Sequence, residues 1–487
     1  MCLFLRGDWL ARTLRAEKRK IQKMITQGLS AFRNKRVLLL QGPVGPFFQR
    51  LAADLAAAGA QVFKVNLNGG DWLFYPRGAM AFRGAFDEWP VFLNEVIDTH
   101  AIDTVLLFGD CRAYHRIAHQ IAKERKLEVG VFEEGYIRPD YITLERDGVN
   151  GNSTLPNNPI FYLNKVPSGE VYTEPVGNTF WLAALWACLY YLAAQILWPV
   201  FSRYRHHRPL SILETGPWVR SIWRKAFYRI KERDMQSRLT GALSSRFFLV
   251  PLQVHNDAQI HSHSRFASVE EFIRHVATSF ALHAPAGTVL VVKHHPMDRG
   301  YNDYSRLLRR LGRELAIAGR LLYVHDLHLP SLLQHTRGTV LINSTVGLSA
   351  LFHKSPLKVC GEAIYAIKGL VYQEELDQFW QDAEKTVVNC ALLNRFRSYL
   401  IEHTQLNGSF YRRLPIPGSH AGIRWEERRR KPRKKQVGSA RQQGKSAAKP
   451  TARAKEVTGG ADLPHSAGVT QEEAGVSRKQ RQQGASL

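Results

Sequence analysis

The order of apolar and polar positions along the chain predicts short buried strands that alternate with helices. Helical spacing of apolar residues occurs between several strands, for example over 46–58, 113–125 and 268–282, and again over 373–403. Strands that alternate with helices in this way are typical of doubly wound parallel sheets, so the pattern predicts an α/β protein. The apolar runs that we interpret as strands are 37–40, 61–65, 104–108, 128–132, 246–250, 288–292, 339–342 and 357–359.

The strands form two groups, one in each half of the chain, which predicts two domains. With 487 residues, 45% of them hydrophobic, the chain is long enough for two separate cores. We expect one helical segment to connect the runs 288–292 and 339–342. The predicted parts are a basic N-terminal helix within 1–35, a first Rossmann-like domain at 36–175, an insertion at 176–240, a second Rossmann-like domain at 241–405, a closing segment at 406–423 and a tail at 424–487.

The insertion at 176–240 differs from both predicted domains in hydropathy. Its stretch 179–201 is uncharged, long enough to span a bilayer, and rich in the Trp and Tyr residues that favour membrane interfaces. Many Arg and Lys residues follow between 203 and 233. A single span would place the two sheets on opposite sides of the membrane, where they could not share a site. We therefore expect a hairpin or pair of helices that docks into one leaflet over anionic headgroups, with a buried interdomain helix as the alternative.

The chain carries a net charge of +25, which predicts an anionic partner such as a nucleic acid, a membrane surface or a phosphorylated substrate. Residues 424–487 hold 16 Lys/Arg and 6 Asp/Glu, so the remainder of the chain is basic without its tail. We expect the tail to be disordered, because it has few large apolar residues. Its role in binding nucleic acid or membrane, or in solubility alone, is open. The basic helix over 10–33 either packs on the first domain or contacts a membrane.

The five cysteines are scattered, odd in number and without a CxxC spacing. Neither a disulfide framework nor a zinc site is therefore expected, and a reducing compartment fits better. The N-terminus has too short an apolar run for a secretory signal peptide.

Polar residues with complementary chemistry follow three predicted strands of the second domain. In open α/β sheets, ligands bind just outside the carboxyl ends of the strands, so these residues are candidates for one site. In chain order they are Gln253 and Asp257, then Lys293, His295 and Pro296, then Asn343, Ser344 and Thr345.

These residue types suit the transfer of a sugar from a nucleotide. Such a reaction needs a base for the acceptor hydroxyl and donors for the departing phosphate. Asp257 is the candidate base, and His295 can donate to the phosphate while Lys293 adds positive charge. Ser344 and Thr345 precede a predicted helix, whose first N–H groups also favour a phosphate.

The first domain contributes fewer candidates. Gly42 lies in a glycine-rich turn after the first strand, but the turn is not a GxGxxG dinucleotide motif, and a plain tight turn is an equal alternative. Glu134 and Arg138 follow the run 128–132, where acids, an Arg and tyrosines crowd one strand end. They either line a ligand site or serve only as a cap and an ion pair.

Four motifs in this order resemble the capsular polysaccharide synthesis family of Gram-negative bacteria, of the KpsS/LipB type. The resemblance covers about residues 36–405, and the basic tail lies outside it. The motifs are Glu133-Glu134-Gly135-Tyr136-Ile137-Arg138-Pro139, Pro251-Leu252-Gln253-Val254 followed by Asp257, Lys293-His294-His295-Pro296, and Asn343-Ser344-Thr345-Val346-Gly347.

The resemblance implies a GT-B-like fold, in which two Rossmann-type parallel-sheet domains face a cleft. It also implies a retaining β-Kdo transferase that uses CMP-Kdo without a metal or other cofactor. The implied acceptor is lysophosphatidylglycerol at the cytoplasmic face of the inner membrane, reached by a peripheral or monotopic protein. The product would start the poly-Kdo linker for capsule export, with other capsule synthesis and export proteins as candidate partners. The first domain would be the acceptor side and the second the CMP-sugar side.

The resemblance implies specific roles at the matching positions. Asp257 would be the catalytic acid/base residue, His295 and Pro296 would belong to the CMP-binding motif, and Ser344 and Thr345 to the phosphate site. Together with residues chosen for their position, the candidate catalytic residues are Asp257, His295 and Glu134, and the candidate substrate-binding residues are Gln253, Lys293, Pro296, Asn343, Ser344, Thr345, Gly42 and Arg138.

Two other classes of function compete with this hypothesis. A non-enzymatic membrane-associated factor for capsule assembly or export would need the insertion but not Asp257 or His295. A nucleic-acid-binding protein would act through its tail and leave the strand-end residues unexplained, so nucleic acid is not the expected partner. Among enzymes, a transferase of another CMP-sugar, such as CMP-sialic acid, is a further alternative.

Overall fold

The structure, a computed structural model, describes residues 28–166, 169, 171–205 and 215–425. The basic helix predicted over 10–33 lies outside these ranges except for its last residues, where Gly28–Phe32 form a short 3-10 helix. The tail predicted to be disordered lies outside them beyond Trp425.

In the described ranges, strands and helices alternate through most of the chain, as the sequence pattern predicts. The strands are β1 Arg36–Leu39, β2 Gln61–Asn66, β3 Met80–Ala81, β4 Thr104–Phe108, β5 Glu128–Glu134, β6 Tyr141–Arg146, β7 Phe247–Pro251, β8 Val289–Lys293, β9 Leu321–Val324, β10 Gly338–Leu341, β11 Leu357–Val359 and β12 Gln405–Asn407. The α-helices are α1 Phe47–Ala57, α2 Gly69–Phe74, α3 Trp89–His100, α4 Ala113–Glu124, α5 Pro159–Leu163, α6 Phe180–Ile196, α7 Thr215–Lys231, α8 Met235–Thr240, α9 Ala258–His263, α10 Val269–His283, α11 Ser305–Glu314, α12 Leu329–His335, α13 Val346–Phe352, α14 Leu376–Asp382 and α15 Cys390–His403.

Two separate sheets divide these strands between a first and a second domain. The first sheet has the order β12-β6-β5-β4-β1-β2-β3, and the second has the order β11-β10-β7-β8-β9. All pairs of the second sheet are parallel. At one edge of the first sheet, β6 pairs antiparallel with both β5 and β12. The predicted GT-B-like arrangement of two Rossmann-type sheets is confirmed, and the antiparallel edge adds to it.

Continuous apolar runs form these strands because both faces of each sheet are covered. Val37 and Leu39 pack in the core cluster that contains α1, whereas Leu38 packs in the opposite cluster with Trp89 of α3. The strand Phe247–Pro251 divides its side chains between two clusters in the same way. Successive side chains of a strand point to opposite faces, so a strand that is buried on both sides needs apolar residues at every position.

The structure contradicts two of the element predictions. The segment between β8 and β10, expected to be one helical segment, contains α11, β9 and α12. Its strand, Leu321–Val324, has only four residues and three of them are partly exposed, so its apolar signal merges with that of the flanking helices. The second concerns residues 66–72, whose Asn and Gly residues after the run 61–65 predict a polar loop. This stretch includes instead the start of α2, whose N-cap Asn68 accepts from the backbone N–H of Asp71.

The end of the described chain returns to the first domain. Strand β12 pairs Gln405 with Thr143 of β6, and the following residues carry Phe410 and Trp425 into the core around α1. The buried carboxylate of Asp54 in α1 accepts from the Ser419 hydroxyl at 2.8 Å and so fixes this closing segment. This return of the chain ties the two domains together.

The insertion contains the expected pair of helices, α6 and α7, and each packs on a different domain. Helix α6 lies against α2, where a Cβ on Gly69 would fall 2.4 Å from the carbonyl oxygen of Ala193. On the same side, the Tyr190 hydroxyl oxygen accepts from Gln41 Nε2 at 3.1 Å and from Asn68 Nδ2 at 2.7 Å. Within the described ranges, no helix combines the length and the hydropathy that crossing a membrane requires. Docking of this region into one leaflet stays a prediction.

Candidate active site

Two loops at the carboxyl edge of the second sheet meet at the side chain of Gln253. Its Nε2 donates to Asp257 Oδ2 and to Asn343 Oδ1, both at 3.0 Å. Asp257 Oδ1 accepts from the backbone N–H of Gln259 at 3.0 Å, which makes Asp257 the N-cap of α9. Because β7 and β10 are neighbours in the sheet, residues distant in sequence come together. The structure thus joins three of the predicted residues around one carboxylate.

The loop after β8 is fixed to the loop after β7 by the buried carboxylate of Asp298. Asp298 accepts from the backbone N–H of His255 at 3.3 Å and also contacts its imidazole. In the same loop, His295 Nδ1 accepts from the backbone N–H of Met297 at 3.2 Å, which leaves the proton of a neutral ring on Nε2. Burial lowers the pKa of His295 to about 4. At neutral pH, His295 is therefore a hydrogen-bond donor and not a cation.

Lys293 lies behind this loop. Its side chain is buried, and Nζ donates to the backbone oxygen of His325 at 3.2 Å. Burial lowers its pKa to about 8, while its charge helps to lower the pKa of His295. Lys293 thus influences His295 through its charge. Pro296 begins the short 3-10 turn Pro296–Asp298 that shapes the loop.

The third strand end leads through Ser344 and Thr345 into α13. Ser344 Oγ accepts from the backbone N–H of Val346 at 3.2 Å, and the Ser344 carbonyl oxygen accepts from the Tyr365 hydroxyl. Thr345 occupies the N-cap of α13, but its side chain makes no capping hydrogen bond. A Cβ on Gly347 would fall 2.4 Å from the Tyr365 ring, so this turn fits tightly under the ring.

Residues of the first domain face these loops. After burial and Lys293, the positive charge of Arg138 is the next cause of the low pKa of His295, and Arg138 Nε itself donates to the Gly135 backbone oxygen at 3.1 Å. Tyr136 and Asn150 of the first domain line one small pocket together with Asn343 of the second. The candidate site therefore lies where the two sheets meet.

Cys111 connects the first domain to the helix that Asp257 caps. Gln259 Nε2 donates to Cys111 Sγ at 3.5 Å, and His263 Nε2 lies 3.7 Å from the same sulfur. Burial raises the pKa of the Cys111 thiol to about 12, so the thiol is protonated. On the other side, a Cβ on Gly151 would fall 2.2 Å from the His263 ring. These contacts hold α9, and with it Asp257, against the first domain.

Glu134 and Gly42 lie at strand ends of the first sheet. Glu134 Oε1 accepts from the Tyr411 hydroxyl at 2.7 Å, and the Gly42 carbonyl oxygen lies 3.5 Å from Arg112 Nη1. Among the described residues, no hydrogen bond joins Glu134 or Gly42 directly to Asp257. The structure places these two candidates on the same edge of the first domain but outside the Gln253 cluster.

Glu133, at the same strand end as Glu134, is a titratable group that was not among the predicted site residues. It is the next-to-last residue of β5, and its Oε1 accepts from the backbone N–H of Glu134 at 3.0 Å. Burial raises its pKa to about 7, with the charge of Arg112 opposing the shift. A carboxyl group with such a pKa exchanges its proton near neutral pH, as acid or base catalysis requires. Glu133 and Glu134 are both only partly exposed, and two adjacent acids in a sequence give no signal of the raised pKa of Glu133.

Replacing Glu133 with glutamine should flatten the pH dependence of stability. Between about pH 4.5 and 7 the folded chain keeps a proton on Glu133 that the unfolded chain releases, so the free energy of unfolding falls as pH rises. Glutamine removes this fall, and the difference between variant and wild type should change by about 1–3 kcal/mol from pH 5 to pH 8. Urea unfolding at several pH values measures it.

Glu95→Gln, an exposed change on α3, is the matched control and should leave the slope unaltered. Glu145, whose pKa burial also raises to about 7, keeps its own contribution in both variants. Parallel curves for wild type and Glu133→Gln between pH 5 and 8 would contradict the assignment of a protonated Glu133.

Three further residues that organise the site were not found from sequence. Asp298 ties two loops together, Tyr365 holds the turn before α13, and Cys111 contacts α9. The only sequence signal was the position of Asp298 two residues after Pro296. Their roles depend on burial and on contacts between distant segments.

Comparison with known proteins identifies relatives over most of the chain. A family model described as capsule polysaccharide biosynthesis protein matches residues 103–411, a span that contains every candidate residue except Gly42. The capsule polysaccharide export protein KpsS of Escherichia coli is 43% identical over 388 residues, covering 77% of this chain and 97% of that protein. The capsule polysaccharide modification protein LipB of Neisseria meningitidis serogroup A is 43% identical over 395 residues, covering 79% and 94%.

Solved structures include more distant likenesses. The Thermosulfurimonas dismutans KpsC β-Kdo 2,7 transferase aligns with 79% of this chain and 94% of its own, at 14% identity and a TM-score of 0.36. The calicheamicin glycosyltransferase CalG4 aligns with 76% and 95%, at 14% identity and a TM-score of 0.30. The alignments with KpsS and LipB, at 388 and 395 residues, are too long for one sheet domain. The sequence similarity to these two proteins therefore includes both sheet domains.

Proposed function

Because this chain belongs to the capsule polysaccharide biosynthesis family, as its motifs predicted, we propose that it is a glycosyltransferase of capsule assembly. The proposed donor is CMP-Kdo and the proposed acceptor is lysophosphatidylglycerol. Transfer adds the first Kdo of a poly-Kdo linker, with retention of configuration and without a metal or other cofactor. Family membership supports the role in capsule biosynthesis, and the donor, acceptor and stereochemistry go beyond it.

The observation that carries the proposal is the polar cluster at three adjacent strand ends of the second sheet. Gln253 joins Asp257 to Asn343, and His295 lies on the neighbouring loop. The charge of Arg138 in the first domain contributes to the low pKa of His295. A base and a neutral donor at the meeting of two sheets are the groups that sugar transfer from a nucleotide requires.

Asp257 is the proposed acid/base residue. Gln253 and the backbone N–H of Gln259 orient its two oxygens, and each oxygen retains a lone pair that can accept a further proton. Asp257 takes the proton of the acceptor hydroxyl as the oxygen forms its bond to the sugar on the face from which CMP departs, so that the configuration is retained. The bond between the sugar and CMP breaks, and its electron pair leaves with the phosphate.

The groups around His295 are proposed to receive that phosphate. The Nε2–H of the neutral ring donates to a phosphate oxygen, and Lys293 adds positive charge from behind the loop. The hydroxyls of Ser344 and Thr345 would bind other phosphate oxygens beside the start of α13. Fixed donors stabilise the developing charge better than water does, because they need no reorientation.

The proposed lipid acceptor requires access to a membrane surface from the acceptor domain. Helix α6 packs on the first domain, and Trp181, Leu192 and Ile196 on its other side are each more than half exposed. We propose that this surface contacts the cytoplasmic face of the inner membrane, with the protein peripheral or monotopic. Other capsule synthesis and export proteins are the further proposed partners.

The test is a transfer assay with the purified chain. CMP-Kdo, generated in the reaction, is mixed with fluorescent lysophosphatidylglycerol in the presence of a metal chelator. The expected product is heavier by one Kdo, and nuclear magnetic resonance of that product reports the anomeric configuration. Lysophosphatidylcholine, which lacks the glycerol hydroxyls of the headgroup, is the matched acceptor and should give no product. CMP-sialic acid is the matched control donor and should give no product.

The outcomes separate the alternatives. A product with two or more added Kdo units would contradict the initiating role and favour linker extension. If the chain transfers sugar from CMP-sialic acid and not from CMP-Kdo, the assignment of CMP-Kdo as donor is wrong. Binding of CMP without any transfer would point to another sugar or acceptor. If the chain neither transfers sugar nor binds CMP, the transferase proposal fails and a non-enzymatic assembly factor becomes the better hypothesis.

A further inference from the structure

Helix α7 presents an apolar strip to solvent. Ile222 is 74% exposed, Trp223 66%, Phe227 44% and Ile230 73%. At 3.6 residues per turn, these four positions fall within about 140° of the helix circumference. The rings of Trp223 and Phe227 stack on each other, which makes the strip a continuous surface. Exposed apolar surface of this kind marks a binding face.

The charges of α7 indicate what binds to that face. The helix Thr215–Lys231 contains five basic residues and no acidic one. By helical position, Lys225 and Arg229 flank one side of the apolar strip, and Arg220 and Lys231 flank the other. An apolar strip between two basic flanks is typical of a helix that lies in the interface of an anionic bilayer. The charge complementarity therefore favours anionic phospholipid over a protein groove.

The inner face of α7 and the residue just beyond its end are fixed to the second sheet. The Tyr228 ring stacks on the His325 ring with 3.4 Å between centroids and 7° between planes. Glu232 is buried and accepts from His325 Nδ1 at 2.6 Å and from its backbone N–H at 2.9 Å. His325 in turn accepts from the Lys293 ammonium through its backbone oxygen. The helix is thus connected to the end of β8.

The same helix also contacts the loop that carries His295. Arg224 Nη1 donates to the backbone oxygen of Arg299 at 2.7 Å, and Arg220 Nη1 donates to that of Gly300 at 3.3 Å. A Cβ on Gly300 would fall 2.0 Å from the Pro217 carbonyl oxygen, so the loop backbone lies directly against the start of α7. One helix therefore has an outward lipid-type face and an inward face on the 293–300 loop.

We infer that an anionic phospholipid bilayer binds the outer face of α7 and thereby orders the 293–300 loop, which we propose as part of the donor site. The role of the loop rests on the proposed function, whereas the binding and the ordering do not. A bilayer can bias the loop only if it favours one position of α7 over others. The hydrogen bonds from Arg220 and Arg224 transmit that position to the loop backbone.

Two measurements on the full chain test the inference without any turnover. Co-sedimentation measures binding to vesicles of phosphatidylcholine alone or with about 30% phosphatidylglycerol. Hydrogen–deuterium exchange of peptides that cover 293–300 measures ordering of the loop. We expect binding to the anionic vesicles, at least about tenfold stronger than to the neutral ones, and at least about threefold slower exchange in the loop when bound.

Two pairs of variants separate binding from coupling. Ile222→Gln with Ile230→Gln should weaken vesicle binding at least about tenfold, whereas Leu282→Gln, on α10 and 72% exposed, should not. Arg224→Gln and Arg229→Gln each remove one positive charge from α7, so each should weaken binding about fivefold. At saturating vesicles, Arg229→Gln should keep the slower exchange of 293–300 and Arg224→Gln should lose it.

Three results would overturn the inference. These are absence of binding to anionic vesicles, binding with unchanged exchange in 293–300, and equal loop protection in Arg224→Gln and Arg229→Gln. A transfer assay with a short-chain soluble acceptor, with and without vesicles, adds the functional consequence, and stimulation of at least about fivefold is expected. Loss of transfer under every condition would count against the proposed function alone, since sedimentation and exchange do not depend on it.

Discussion

Replacing Asp257 with asparagine is expected to reduce sugar transfer by about 10²–10⁴-fold, the usual contribution of a general base. Asparagine is nearly the same size and is an equally good helix N-cap, so it can still accept from the backbone N–H of Gln259. Its amide cannot take the proton of an acceptor hydroxyl. The amide NH₂ would face Gln253 Nε2, which donates to Asp257 Oδ2 in the wild type, so this one hydrogen bond is lost. The change therefore removes the chemistry and keeps the cap of α9. Initial rates of product formation, together with thermal unfolding, measure both.

Two alanine variants serve as controls for the cap. Asp257→Ala removes both carboxylate and cap, whereas Ser268→Ala removes only the comparable cap of α10, which accepts from Glu271 N–H at 3.1 Å. Each loss of a cap should cost about 1 kcal/mol of stability. Ser268→Ala should transfer sugar at nearly the wild-type rate. A rate for Asp257→Asn within about threefold of wild type would rule out Asp257 as the acid/base residue.

Replacing Gln253 with glutamate is expected to lower transfer at pH 8 by at least about 100-fold. The new carboxylate would lie about 3 Å from the Asp257 carboxylate and from the Asn343 amide oxygen, where Gln253 Nε2 now donates. Two like charges at that distance repel on the order of 5 kcal/mol at an effective dielectric constant of 20. The pair should therefore hold one proton between them, as coupled carboxyl groups do.

The sign of the pH dependence follows from that shared proton. As pH falls from 8 towards 5.5, the pair gains its proton and a donor to Asp257 is restored, so activity of Gln253→Glu relative to wild type should rise about tenfold. Gln253→Met, similar in length but without donor or charge, should lose about tenfold at all pH values. Rates of transfer across this pH range for the three proteins provide the measurement. A constant ratio between Gln253→Glu and wild type would show that the two carboxyl groups do not interact.

The sequence by itself determined eight of the twelve strands in the described ranges, and the places where chemistry collects along the chain. A strand buried on both faces needs an unbroken apolar run, so Thr104–Phe108 and Val289–Lys293 are legible from local composition. The polar residues that follow such runs are equally visible, because sheet and loop differ sharply in hydropathy. Short edge strands such as Leu321–Val324 were not legible, because partial exposure weakens the run.

Tertiary structure alone decided which strand ends meet and which groups are buried. The order β10-β7-β8 joins Asn343 to Gln253 and sets the loop of His295 beside them, although no local signal encodes that order. Burial sets the low pKa of His295 and the raised pKa of Glu133, and burial is the combined result of packing by many distant segments. The insertion shows the same division. Its apolar and basic residues were evident in the sequence, but only packing divides α7 into a face on the 293–300 loop and a face towards solvent.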